Sequence, residues 1–420
     1  MRVLYLIAMC LLWACSDTYA PLEDTQQPAY SVVIKADNPL IAKVSLTLEE
    51  DRSAPVQLVS RAESLGTTSQ IKDVTCQDQI ITPDENLTWS IPPQCSMVRW
   101  DVEFDAPKPS SVQPSRQRSL YIRSGWWLLS APTSLLRIES HSRDIPVDIL
   151  VSNRPAVQRT LRTINAPPNF YVLGPAPAKS SIAGKMGLTY FGEDLETVFN
   201  VINPEKHKEA MRYFKAIIGP EKTRMVSDLS VVWFGVPRDR REVSGAAGYD
   251  TILANFIIPE DRPKEAEQLM SLALVFHEQF HQLDSGSHPV WMGESLANYY
   301  ALKALKRVFP ENESADNIWN RFINTERPIT LGLLAIDREI SEDQNRQNYG
   351  HLYTQGATFW AELDEAIQQH SSQGESLDSF MPAIMTLEMA SDGTSFSDIE
   401  NLLSVIPVQK MNDIKTKYLE

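Results

Sequence analysis

Two histidines four residues apart, with a glutamate directly after the first, stand at His277-Glu278-Gln279-Phe280-His281. On an α-helix, positions i and i+4 share a face, so both imidazoles can reach one cation. Glu278 is then placed to take a proton from water that the cation activates. A catalytic zinc site takes three protein ligands and leaves one position open. Asp284, His288 and Glu294 follow downstream. Asp284 is too close to the helix end to fold back easily. The interval from His281 to His288 is one residue too long for a His-x-x-Gly-x-x-His arrangement, and the glycine is displaced. Glu294 follows a turn of suitable length, in Trp291-Met292-Gly293-Glu294-Ser295-Leu296-Ala297-Asn298. A second, antiparallel helix can bring its carboxylate to the histidines. Two imidazoles, one carboxylate and an open position suit Zn²⁺, one per chain.

The motif needs a buried helix beneath it. Asp261-Arg262-Pro263 reads as a helix start, a capping acid followed by proline in the first turn. The helix is expected to run to about Leu283, apolar nearly all round from Leu269 to Phe276, and to end in Asp284-Ser285-Gly286-Ser287. Pro289 starts the next helix, through about Arg307. Upstream, Pro204 to Ile218 reads as a helix, Leu229 to Phe234 as a buried strand and Ala246 to Ile258 as another strand. From Tyr30 to about Val172 the signals are β. Val44, Leu46 and Leu48 alternate with polar residues, as do Val98, Trp100, Val102 and Phe104, with proline-rich breaks between.

HEQFH followed by WMGESLANYY resembles the gluzincin clan of zinc metallopeptidases, with Ser295 in place of the usual glycine. Tyr353-Thr354-Gln355-Gly356-Ala357 with Leu363-Asp364 is similar to a segment of the glycyl aminopeptidase family, with Gln355 where lysine is usual. The Tyr30-Ser-Val-Val-Ile start of the β region also resembles that family. The likeness implies an α+β chain: a β-sandwich-like N-terminal domain, a thermolysin-like zincin catalytic domain and a C-terminal helical part. The expected divisions are a lipoprotein signal at 1–14, a lipid-anchored linker at 15–28, and domains at 29–185, 186–310 and 311–420. It implies Tyr353 as donor to the oxyanion, with Tyr349 and His351 as fallbacks, and Asn298 as a polar group that orients a ligand. It also implies a substrate-pairing edge at Gly245, Ala246, Ala247 and Gly248, where glycines let a peptide approach closely. The aminopeptidases carry a glutamate there for the substrate amine; this chain offers Gly248 or, in another register, Asp250. Zinc-dependent peptide hydrolysis, as an aminopeptidase, is the activity implied. An endopeptidase of the same fold, or a non-catalytic lipid-anchored binding protein on that scaffold, are the competing readings.

Met1 and Arg2 precede an apolar run from Val3 to Trp13, too short to span a bilayer as a helix. It ends in Leu12-Trp13-Ala14-Cys15, which resembles the lipobox of bacterial lipoproteins and makes Cys15 the lipidated residue. The chain is then expected on a bacterial cell envelope, held to membrane by lipid. Cys76 and Cys95 remain as a pair in an oxidising compartment, so a disulfide is expected. With 39 basic residues against 54 acidic, the net charge is −15, which argues against nucleic acid as a partner. A peptide or protein substrate fits better.

Overall fold

The computed structural model describes residues 27–49, 52–61, 70–107, 112, 116–123, 125–152, 154–164, 166–174, 179–183, 186–219, 228–240, 243–260, 264–283, 288–343, 345–387 and 396–420. The leader at 1–14, Cys15, all but the last two residues of the linker, the helix start at Asp261–Pro263 and the helix end at Asp284–Ser287 lie outside the described residues. No helix among the described residues is long and apolar enough to cross a membrane.

The first part is β-rich. Seven strands form one sheet in the order Val157–Leu161, Ile145–Val151, Ala29–Lys35, Asn38–Thr47, Met97–Glu103, Ile71–Cys76 and Gln79–Ile80. The alternation read from the sequence is the burial pattern: Val44 lies opposite Trp100 and Leu46 opposite Val98, all on the buried face. A second layer of three short strands, Arg137–Ile138, Val56–Val59 and Thr88–Ile91, covers that face. Cys76 and Cys95 are joined, with Cα atoms 5.9 Å apart.

The strand Trp126–Ser130 connects this part to the next. All five residues are buried, because successive side chains point to opposite faces and both faces are covered. Trp127 and Leu129 enter the β-domain core. Trp126 and Leu128 pack with Val232, Ala246 and Leu253 of the following sheet.

That second sheet runs Lys179–Ala183, Met186–Gly192, Asp228–Val236, Thr251–Ile257, Gly245–Ala247. Its three central strands are parallel. The boundary expected at residue 185 therefore falls inside a hairpin of this sheet, since Lys179–Ala183 pairs with Met186–Gly192. The single strand expected from Ala246 to Ile258 is two antiparallel strands, Gly245–Ala247 and Thr251–Ile257, around a turn at Gly248-Tyr249-Asp250. The short strand is the edge of the sheet.

Helices pack on the sheet and then on one another: Pro204–Ile218, Glu265–Leu283, Val290–Val308, Glu313–Phe322, Leu333–Ser341, Ala357–His370, Leu377–Ile384, Phe396–Leu402 and Val408–Tyr418. Pro204 follows Asn203, whose side chain accepts from the amides of Glu205 at 3.0 Å and Lys206 at 3.4 Å, an N-cap with proline in the first turn. One core holds side chains from Leu188 to Leu419. Residues 311–420 thus complete the body begun at the second sheet and are not a separate domain. The chain is α+β, with its β-rich region first and its helical part last.

Candidate metal centre

His277 and His281 lie on the helix Glu265–Leu283, and Glu294 lies one turn into the helix Val290–Val308. Crossing of these helices brings the three side chains together. His277 Nε2 is 3.1 Å from His281 Nε2 and 3.2 Å from Glu294 Oε2, and His281 Nε2 is 3.8 Å from the same oxygen. Ligands about 2.0–2.1 Å from a tetrahedral zinc stand about 3.3 Å apart. The triangle matches that spacing, so the donor set fits such an ion by size as well as by chemistry. Among the described residues, these three are the group of His, Cys, Asp or Glu side chains able to hold a metal. Burial alone would raise the Glu294 carboxyl, but the adjacent His277 and His281 hold it well below the usual carboxylate range.

The ligand helix is fixed from behind. His207, fully buried, stands 3.1 Å from the Tyr190 hydroxyl through Nδ1 and 3.4 Å from the Gln279 side-chain Oε1 through Nε2. The Glu294 helix has no side-chain cap of its own. Asp337, from Leu333–Ser341, accepts from the Trp291 amide at 2.8 Å and does that work from another helix. His288 is turned away, 3.3 Å from the carbonyl of Ile384, so it is no ligand here.

Glu278 lies beside the triangle and is 8% exposed. Burial raises its carboxyl above the ordinary value, opposed by the two ligand histidines and by a hydrogen bond from the Ala247 amide. The edge strand thus touches the carboxylate directly. Gly245 makes the contact possible: a Cβ there would lie 2.6 Å from Glu278 Oε1. Gly248 does not share this place. A Cβ on it would meet Phe170 at 2.5 Å and the Pro168 carbonyl at 2.8 Å, both in the β-rich part. Gln282 donates to the Gly248 carbonyl and ties the turn to the ligand helix. Of the expected substrate edge, then, Gly245, Ala246 and Ala247 form the strand, and Gly248 belongs to the turn. Asp250 is also in that turn, where its charge acts on Tyr171 of the β-rich part.

Tyr353 sits in a π-helical turn, Leu352–Gly356, that runs into Ala357–His370. Its ring meets that of His277 edge-on, with centroids 5.5 Å apart. Burial, then the neighbouring Glu294, pushes its phenol far above the ordinary value, so it stays a proton donor. Asn298 does not orient a metal-ligand side chain. Its amide donates to the Tyr353 backbone carbonyl at 2.5 Å and so positions the π-turn. Tyr349, considered from sequence only as a fallback donor, meets the Tyr353 ring edge-on with centroids 5.7 Å apart, and burial followed by the nearby Glu294 charge raises its phenol. His351, the other fallback, has no described contact with the triangle.

No protein-family model matches the chain, and no curated protein matches it in sequence. Its structure is similar to that of an aminopeptidase N family protein from Idiomarina loihiensis, with a TM-score of 0.69 and 12% identity over 93% of this chain and 76% of that one. The likeness is one of fold. It extends through the β-rich region and the helical body together, so this arrangement of parts recurs in a peptidase family.

Proposed function

We propose that the chain is a zinc metallopeptidase of the gluzincin type, with a thermolysin-like catalytic body, in which His277, His281 and Glu294 hold the ion. The observation that carries this reading is the donor triangle with Glu278 next to it. When bound, zinc supplies Lewis-acid polarisation of the scissile carbonyl and a more acidic water. Glu278 takes the proton of the attacking water and delivers it to the leaving amine. Tyr353 donates to the oxygen on which negative charge develops. The edge strand Gly245–Ala247 pairs with the substrate backbone, its glycine leaving room beside Glu278.

Within this reading an endopeptidase is favoured over an aminopeptidase. Gly248 and Asp250, the two positions at which the amine-binding carboxylate was expected, both lie in the turn against the β-rich part. The Leu12-Trp13-Ala14-Cys15 motif supports a lipid anchor on Cys15, hence a place on the bacterial cell envelope with peptide or protein substrates and no nucleic acid.

Metal analysis of protein purified without chelator, combined with peptide-library profiling with and without chelator, tests the function. One zinc per chain and chelator-sensitive cleavage are expected; protein free of zinc and inert towards every peptide would leave a non-catalytic binding protein instead. Comparing N-terminally blocked with free peptides decides the class: equal cleavage of both is expected, and cleavage of free peptides alone would restore the aminopeptidase reading.

A further inference from the structure

The edge strand beside Glu278 ends in the turn Gly248-Tyr249-Asp250, and the β-rich part grips that turn. Tyr249 donates its amide to the Pro168 carbonyl at 2.7 Å. Thr251, where the next strand begins, donates its hydroxyl to the Phe170 carbonyl at 2.8 Å. Both of these anchors end on backbone acceptors. The third is a side chain. Arg162 follows the strand Val157–Leu161, and its guanidinium carbon lies 4.0 Å over the Tyr249 ring. Nη2 donates to the Tyr249 hydroxyl, and Nη1 pairs with Asp144. Asp144 is itself fixed, accepting from the Thr163 amide at 3.2 Å, and the Arg162 amide donates to Asn169 Oδ1 at 2.9 Å. The fork is thus held at its root and at one tip before it reaches Tyr249. The strand it steadies has three residues and, among the described residues, one paired neighbour, Thr251–Ile257. A short edge strand on a single ladder opens readily unless something else holds it.

We propose that Arg162 is a positioning residue for the peptide-pairing edge. By fixing Tyr249 it keeps Gly245–Ala247 in place for a substrate backbone, so the β-rich part sets how the helical body holds its peptide. This rests on the reading of that edge as substrate-binding. The grip works through a planar fork whose two ends reach different acceptors, which a lysine cannot reproduce. Without it the binding-competent strand is populated only part of the time, and the apparent affinity for an extended peptide falls by that fraction.

The test compares Arg162→Lys, Tyr249→Phe and the double variant with wild type, all as the whole chain. The first keeps the charge and the second keeps the ring, so both keep most of the packing. Amide hydrogen exchange of residues 244–250, read in zinc-free protein, should quicken about tenfold in each single variant and little further in the double one. KM for an extended blocked peptide should rise about tenfold, with kcat and zinc content little changed. KM for a blocked dipeptide, which offers little backbone beyond the scissile bond, should stay as it is. Unchanged exchange in both single variants overturns the proposal. So does additive quickening in the double variant, or a rise in KM that is equal for the two substrates. A wild type that cuts no peptide overturns instead the peptidase reading, and with it the role given to the edge, even where quickened exchange shows that Arg162 holds the turn.

Discussion

Glu294 Oε2 lies 3.2 Å from His277 Nε2, although the two residues are 17 positions apart and on different helices. The donor set is therefore a product of helix packing, and what holds the second helix in place bears on the candidate metal site as well as the donors do. The consequences can be measured separately for proton transfer, oxyanion stabilisation and assembly of the site.

Glu278→Gln preserves shape and removes the base. Zinc content should stay at the wild-type level, and kcat should fall by about 10²–10⁴. Undiminished turnover in a zinc-loaded variant removes Glu278 from the role assigned to it.

Tyr353 and Tyr349 should separate cleanly. Tyr353→Phe loses the oxyanion donor, so kcat should drop about 10²–10³-fold with zinc affinity unchanged. Tyr349→Phe loses a hydroxyl near the Glu294 carboxylate; zinc affinity should weaken about tenfold, measured by competition with a chromophoric chelator, while kcat of the loaded enzyme changes little. The reverse pattern would mean that Tyr349 is the donor.

Gly245→Ala puts a Cβ 2.6 Å from Glu278 Oε1. The carboxylate must move, and a displacement of about 1 Å costs on the order of 100-fold in rate. The loss should appear in kcat without loss of zinc. Wild-type activity would show that Glu278 is not confined by the edge strand.

Asp337→Ala removes the cap on the Glu294 helix, at a cost of about 1–2 kcal/mol in denaturant unfolding. Zinc binding should weaken as well, because Glu294 follows in the next turn. Asp337→Asn keeps the acceptor and should restore most of both. If the alanine and asparagine variants behave alike, the cap contributes nothing through its hydrogen bond.

His207 links stability to pH. Burial lowers its folded pKa from 6.5 to about 4, so the folded protein keeps it neutral. Below pH 6.5 the unfolded chain binds a proton that the folded one refuses. Its contribution is complete above 6.5 and is lost as pH falls to about 4, on the order of 3 kcal/mol in total. In His207→Gln the decline of unfolding free energy between pH 6.5 and 4.5 should be shallower. Identical slopes in both proteins would exclude His207 as its source.

Much of this was legible from local patterns. His277 and His281 repeat at helical spacing inside a long apolar run, and Pro204 and Pro289 mark helix starts where the structure has them. Alternation at Val44–Leu48 and Val98–Phe104 reports burial on one face, which is a local property of a strand. What stayed hidden depends on contacts between distant segments. Gly248 and Asp250 are turn residues inside the run from Ala246 to Ile258, but the antiparallel pairing that makes a turn of them, and the approach of Gly248 to Phe170, depend on segments distant in sequence. The bond from Asn298 to the Tyr353 carbonyl crosses 55 positions and has no local signature. Asp337 did leave one: an acid on the apolar stripe of Leu333, Ile336 and Ile340 is out of place unless it caps something.

The helical body has a temporal side. Gln355, in the Tyr353 turn, donates to the Leu331 carbonyl at 2.9 Å and the Tyr418 carbonyl at 3.3 Å, and the Leu334 amide, on the Asp337 helix, donates to the Leu419 carbonyl at 3.4 Å. A ribosome releases the HEQFH helix well over a hundred residues before Tyr418 and Leu419. The chain thus carries its three donors through roughly the last third of its synthesis without the scaffold that aligns them, so the triangle is assembled only when residues 331–419 have folded onto it.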